Sequence, residues 1–255
     1  MKALELIEII EKFAPLNYAA PWDKSGIQVA SFKETITRIA VMLDPGPRSI
    51  AKALDTGADF LVAHHPLLMK PRFTDKADDY LRVLGMVLGA NAWLYSSHTS
   101  LDANPEGPAR WLGEELGLMG METLAHAGDG FGFGFVGNLP LPLSYEDFSR
   151  TVARVVGVEK WRGCGLVPKH VCRVACCPGS GSDLAVLAAL SGADVLVTGD
   201  CKYHAAMEAP LRLLDVGHFA LEEEMMRRVT TILQEITGLD ALFIPAIDPF
   251  SFESL

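Results

Sequence analysis

One stretch of this chain matches another stretch of the same chain 135 positions later. Residues 38–65 lie on residues 173–200 without a gap, and nine of the 28 positions are identical. Unrelated sequence of ordinary composition would give about two. The match centres on Gly57-Ala58-Asp59-Phe60-Leu61-Val62 over Gly192-Ala193-Asp194-Val195-Leu196-Val197, and includes Arg38/Arg173, Ala40/Ala175 and Gly46/Gly181. Both copies read as an apolar strand, a helix, a Gly-Ala-Asp turn, a second apolar strand and a polar cluster. Any two βαβ units share some of this likeness, but the ungapped identity favours a true duplication. Strands this apolar are buried on both faces, under helices. The expected fold is therefore α/β, with two similar α/β lobes related by internal duplication and facing each other across one cleft.

The rest of the chain follows the same grammar. Residues 1–13 carry apolar side chains at helical spacing, interrupted by Glu5, Glu8, Glu11 and Lys12. They predict an amphipathic soluble helix rather than a signal sequence. Strands are expected at 38–43, 59–63 and 91–96, and helices at 48–56, closed by Gly57, at 78–89 and at 106–117. Residues 126–138 alternate Gly and Phe, which suits a strand with close backbone approach rather than a dinucleotide loop. The Pro-rich LPLPLS reads as a linker, with Ser144 capping a helix over about 145–156. The first lobe is expected at 1–125, with the C-terminal helix 220–237 as a candidate addition, and the second at 126–255.

At 255 residues and 49% hydrophobic, the chain can bury a sizeable core. Its formal net charge of -10 argues against a nucleic-acid backbone as partner and favours a bound cation. No stretch approaches the roughly 18 uncharged apolar residues of a membrane span. The five cysteines include no CxxC pair, so they read as free, mostly buried thiols of a cytoplasmic protein.

The chemistry gathers behind apolar strands. His64 and His65 stand in succession before Pro66, where alternating side-chain directions let two neighbours reach two different ions. His98 and Asp102 follow the strand NAWLYS; Asp102 is either a site carboxylate or the N-cap of the helix near 106. His218 and Glu222 are four apart and share one helical face, a metal-chelating spacing. The apolar stripe of that helix is Leu221, Met225, Val229, Ile232, Leu233 and Ile236. Glu222 falls one residue off the stripe and is expected half-buried, with Glu223 and Glu224 in solvent. Imidazole and carboxylate suit Zn, Fe, Mn or Ni, and five such ligands are too many for one catalytic zinc. They fit two divalent metal ions bridged by a carboxylate and a water.

Five stretches carry a resemblance: P21-W22-D23-K24-S25-G26-I27-Q28-V29, A63-H64-H65-P66-L67, S97-H98-T99-S100-L101-D102, G199-D200-C201-K202-Y203-H204 and G217-H218-F219-A220-L221-E222. Together and in this order they resemble the NGG-one-interacting factor three family, also called the GTP cyclohydrolase I type two family. Lys24 stands where that family most often has Asn, and the chain is the short form without the central inserted domain. The resemblance implies a two-metal site in which His64 and His218 hold one ion, His65 and Asp102 hold the other, and Glu222 bridges both. It also implies a toroidal homohexamer, a trimer of dimers. His98 and His204 match family positions near the site and read either as residues that support the ligands or as acid/base residues, with Asp200 and Tyr203 lining the same cleft and Cys201 the cysteine nearest to it.

A dinuclear-metal-dependent hydrolase acting on an unknown small molecule follows as the expected function. Purine ring opening is the family's suggestion, and a phosphoester or an amide suits the site equally. The alternative is a non-catalytic metal chaperone, store or regulatory scaffold.

Overall fold

A computed structural model describes residues 1–251. The chain opens with α1 (Ala3–Phe13), β1 (Gly26–Val29), β2 (Arg38–Met42), α2 (Pro47–Asp55), β3 (Phe60–Ala63), α3 (Asp79–Gly89), β4 (Trp93–Ser96) and the single turn α4 (Thr99–Asp102). It continues with α5 (Trp111–Glu115), β5 (Met119–Gly128), β6 (Phe131–Ser144), α6 (Tyr145–Val156), β7 (Arg162–Cys164), β8 (His170–Cys176), α7 (Ala185–Leu190), β9 (Val195–Thr198), α8 (Tyr203–Met207) and β10 (Arg212–Asp215). It closes with α9 (His218–Thr237) and β11 (Asp240–Phe243). Among the described residues no helix is long and apolar enough to cross a membrane.

Two compact units result: Met1–Leu101 together with the chain from Met226 onward, and Asp102–Met225. This differs from the expected lobes 1–125 and 126–255. Residues before 126 supply β5, which pairs with β6 of the second sheet, and residues after 226 return β11 to the first. Pairing partners, not chain position, set the division.

The first sheet has the order β1-β4-β3-β2-β11. Strands β2, β3, β4 and β11 run parallel, and β1 is antiparallel to β4. The strand–helix–strand pattern dictates this, since parallel neighbours need a crossover. Strands β2 and β3 are almost wholly buried, packing on Ile50 and Ala53 of α2 and Val83 and Val87 of α3. Helix α2 starts with Pro47, which needs no donor there, and Gly57 at φ +80 follows its end. The Asp78 carboxylate accepts from the Leu81 N–H and caps α3.

The second sheet has the order β5-β6-β8-β9-β10-β7, with β8, β9 and β10 parallel and antiparallel strands on both sides. The Gly/Phe segment forms the β5–β6 hairpin. The expected close approach is present: a Cβ on Gly132 would lie 2.1 Å from the Ala125 carbonyl oxygen. LPLPLS is not a linker but the end of β6. Pro140 and Pro142 fall in the register break between Asn138 and Leu143, where a missing N–H costs no ladder bond. Ser144 caps α6 as expected, its Oγ accepting from the Asp147 N–H at 3.1 Å. The helix expected at 106–117 is instead a 3-10 turn over Pro108–Arg110 followed by the short α5. Pro105 and Pro108 bracket a turn in which Asn104 accepts from the Glu106 N–H, which delays the helix.

The two segments that match in sequence also match in local structure. β2 pairs with β3 at Ile39↔Phe60, and β8 with β9 at Val174↔Val195, the same register displaced by 135. Asp59 accepts from the N–H groups of Thr37 and Arg38, and Asp194 from those of Cys172 and Arg173. The Arg38 guanidinium donates to the Thr56 carbonyl, and that of Arg173 to the Ser191 carbonyl.

Candidate metal centre

In the first unit, three neighbouring parallel strands end side by side. Met42 of β2 pairs with Ala63 of β3, and Ala63 with Ser96 of β4. The residues just beyond these ends are Asp44, His64 with His65, and Ser97 with His98. Carboxyl ends of parallel strands are where open α/β sheets gather ligands. One ring nitrogen from each of His64, His65 and His98 lies within 4.8 Å of the other two, a group that could hold a metal ion.

Each of these rings is anchored at Nδ1. His64, fully buried, donates to the Ser97 carbonyl at 2.8 Å. His65 Nδ1 lies 2.7 Å from the Asp44 carboxylate, and His98 Nδ1 2.8 Å from that of Asp23. An oxygen acceptor holds the proton on Nδ1 and makes Nε2 the lone-pair nitrogen, the arrangement of metal-ligating histidines.

Asp23 is pinned in turn. Its side chain is fully buried, and it accepts from Ser25 Oγ at 2.7 Å, from the Thr99 N–H at 3.1 Å and from Thr99 Oγ1 at 2.5 Å. Burial pushes its carboxyl up, but the bonds from His98, Thr99 and Ser25 more than reverse this and hold it well below the usual carboxylate range.

In the second unit, β8, β9 and β10 end beside one another in the same way. Beyond them come Cys177 and Gly179, then Gly199 and Asp200, then Gly217 and His218. His218 Nδ1 lies 2.7 Å from the Asp200 carboxylate, and Nε2 lies 2.7 Å from Glu222 Oε2. The bond to Glu222 outweighs the opposing effect of burial, and with the help of Asp200 the imidazole is pushed up to about 9. Asp200 has φ +52, a left-handed conformation that Asp tolerates better than most residues.

Glu222 is 4% exposed, deeper than the half-burial expected. Its Oε1 occupies the space where a Gly179 Cβ would sit, 2.3 Å away. Glu223 and Glu224 are half-buried rather than in solvent. On the apolar stripe of α9, Leu221, Met225, Val229 and Leu233 are buried, but Ile236 is 56% exposed, one residue before the helix end.

Asp102 is the last residue of α4, so the N-cap reading is excluded; Gly107 occupies that position before Pro108. Asp102 borders a cavity of about 220 Å³ in the second unit, with Arg110, Thr123 and Gly132. His204 is exposed on α8, edge-on to Tyr203, and joins no cluster of three candidate ligand atoms among the described residues. Tyr203 is also exposed.

All five cysteines are free. The one placed electrostatically with site carboxylates is Cys177, not Cys201. Burial first, then Asp102 and Glu222, push the Cys177 thiol up to about 12. Cys201 instead meets Cys164. Sequence reading also missed Asp23, Asp44 and Gly179. The sequence displays the WD dipeptide, but no local signal assigns its carboxylate to His98, 75 positions away.

The sequence pattern of the Duf34/NIF3 (NGG1p interacting factor 3) family matches residues 1–249. This chain belongs to that family. A GTP cyclohydrolase 1 type 2 homolog of Clostridium perfringens is 31% identical over 261 residues, covering 99% of this chain and 100% of the relative. A Bacillus cereus protein related to NIF3 superposes with a TM-score of 0.90 at 22% identity, with 99% of each chain covered. HcgD of Methanocaldococcus jannaschii, solved in a reduced form, superposes at 0.84 with 28% identity, covering 96% of this chain and 98% of that one.

Proposed function

We propose that this NIF3 family member is a hydrolase that uses two divalent metal ions. His64, His65, Asp102, His218 and Glu222 are the residues that would hold them. The observation that carries this reading is the shared anchoring of His64, His65, His98 and His218, each with Nδ1 on an oxygen acceptor. The donor chemistry fits divalent Zn, Fe, Mn or Ni. His218 Nε2 and Glu222 Oε2 face each other at 2.7 Å, two donor atoms that a cation fits.

When bound, two such ions supply an acidified water and polarise the group under attack. The protein's own part is orientation and proton transfer. Asp44 and Asp200 fix the rings of His65 and His218, and Asp23 fixes that of His98. His98 and His204 are assigned to moving the leaving group's proton. Relatives bear the name GTP cyclohydrolase 1 type 2 homolog, which makes a purine nucleotide opened at its imidazole ring the first substrate to test, with phosphoesters and amides beside it. We place the protein in the cytoplasm as a homohexamer.

The test is a metal-reconstituted protein of measured metal content, assayed with GTP, a phosphoester panel and an amide panel. Two ions per chain and turnover of one class are expected. His98→Ala and His204→Ala should keep both ions and lose about 10²–10⁴ in rate. Loss of an ion would make that histidine a ligand instead. A fully loaded protein that turns over nothing would leave a metal carrier or regulatory scaffold in place of the enzyme.

A further inference from the structure

Away from the proposed metal ligands, two cysteines face each other. Cys164 Sγ and Cys201 Sγ are 3.7 Å apart, from positions 37 residues apart in sequence. Cys164 ends the edge strand β7, which pairs with β10 at Leu213. Cys201 lies in the connection after β9, and its N–H donates to Asp215 Oδ2 at 3.1 Å. Both sulfurs are half-buried at the rim of the second unit's apolar core, and neither is sealed inside it as Cys176 is. The spacing would also suit two thiolates on one tetrahedral metal. However, among the described residues the pair joins no cluster of three His, Cys, Asp or Glu ligand atoms, whereas zinc takes at least three protein ligands. Oxidation is the chemistry left to a two-sulfur site.

We propose that Cys164 and Cys201 form a redox-active dithiol whose closure to a disulfide moves the residue that orients His218. The sulfurs need to close from 3.7 Å to about 2.05 Å. Cys201 directly follows Asp200, which sits in the left-handed region and accepts from His218 Nδ1. A shift of the Cys201 backbone therefore passes to Asp200 through one peptide bond. A disulfide such as oxidised glutathione serves as the oxidant. One cysteine thiolate attacks it and releases one glutathione thiolate. The second cysteine, as thiolate, attacks the mixed disulfide and releases the other. The protein loses two electrons and two thiol protons, and the oxidant gains both as two glutathione thiols. Reduction by dithiothreitol runs the exchange backward.

The consequence for His218 rests on the proposed metal site; the dithiol itself does not. The whole protein is incubated natively with oxidised glutathione, then denatured and alkylated, and free thiols are counted and crosslinked peptides sequenced by mass spectrometry. The expected result is a fall from five thiols to three, a Cys164–Cys201 crosslink, and recovery of both thiols with dithiothreitol. Five remaining thiols, or a crosslink through any other cysteine, would overturn the assignment. Cys201→Ser should form no internal crosslink. Cobalt(II) is the probe for the second arm: its affinity should fall at least tenfold in the oxidised wild type and stay unchanged in Cys201→Ser treated identically. Equal affinity in both redox states of the wild type would overturn the link to His218. A reduced protein that binds no cobalt at all would instead defeat the metal-site reading, while the thiol count would still decide the dithiol.

Discussion

Asp23 shows how much one side chain carries here. It has no exposed side-chain surface, and it accepts from Ser25, Thr99 and His98 at once. Its carboxyl is held below its unfolded value, so the stabilisation is present above about pH 4 and fades as pH falls through the folded value. Asp23→Asn should therefore be less stable than wild type by roughly 2 kcal/mol at pH 7, with the gap closing in acid. Denaturant melts at several pH values would check this, and a gap independent of pH would locate the effect in shape instead of charge. Glu222 is the second residue of this kind. Glu222→Gln should bind less metal than Glu235→Gln, by elemental analysis after equal dialysis, because Glu235 is exposed on the far part of α9. Equal retention would place the bridge elsewhere. Glu223 is no neutral control, since it is half-buried.

At the scale of elements, both units place chemistry where parallel strands stop, and small residues let the connections reach it. A Cβ on Gly199 would lie 2.4 Å from the His218 nitrogen and 2.5 Å from its Cα, both backbone atoms that start α9. The Trp111 indole N–H donates to the Leu221 carbonyl at 3.0 Å and fixes the same turn. Gly199→Ala should cost about 1–3 kcal/mol and loosen the His218–Glu222 pair. Gly85 is the contrast: it lies exposed inside α3, with nothing within 4 Å of an added Cβ. Gly85→Ala should stabilise by about 0.5–1 kcal/mol through helix propensity. Chemical denaturation of the two variants distinguishes close packing from backbone entropy, and like signs would refute the reading.

For the molecule as a whole, the proposed hexamer predicts a particle of six times 27.6 kDa in sedimentation equilibrium. A single 27.6 kDa species at micromolar concentration would overturn it. The shared local structure of residues 38–65 and 173–200 also operates at this scale. Each segment delivers its polar cluster from the end of the corresponding strand, but the clusters differ. The first carries His64 and His65 after β3, and the second Gly199 and Asp200 after β9. The first pair offers imidazoles that could hold a metal ion; the second offers space and an anchor for His218.

The sequence by itself determined the local structure: the strands β2, β3, β4 and β9, the helices α1, α2, α3 and α6, the Ser144 cap, and the types of ligand available. These follow from periodicity, capping and turn chemistry, which act within a few residues. Tertiary structure decided which carboxylate anchors which imidazole. Asp23 reaches His98 across 75 positions, Asp44 reaches His65 across 21, and Asp200 reaches His218 across 18. It also decided that Pro140 and Pro142 belong to a strand, that Cys201 pairs with Cys164, and that the chain divides at residues 101 and 226. Each of these depends on which strands become neighbours and in what register. That choice is made by the burial of whole sheets, and no short window of sequence contains it.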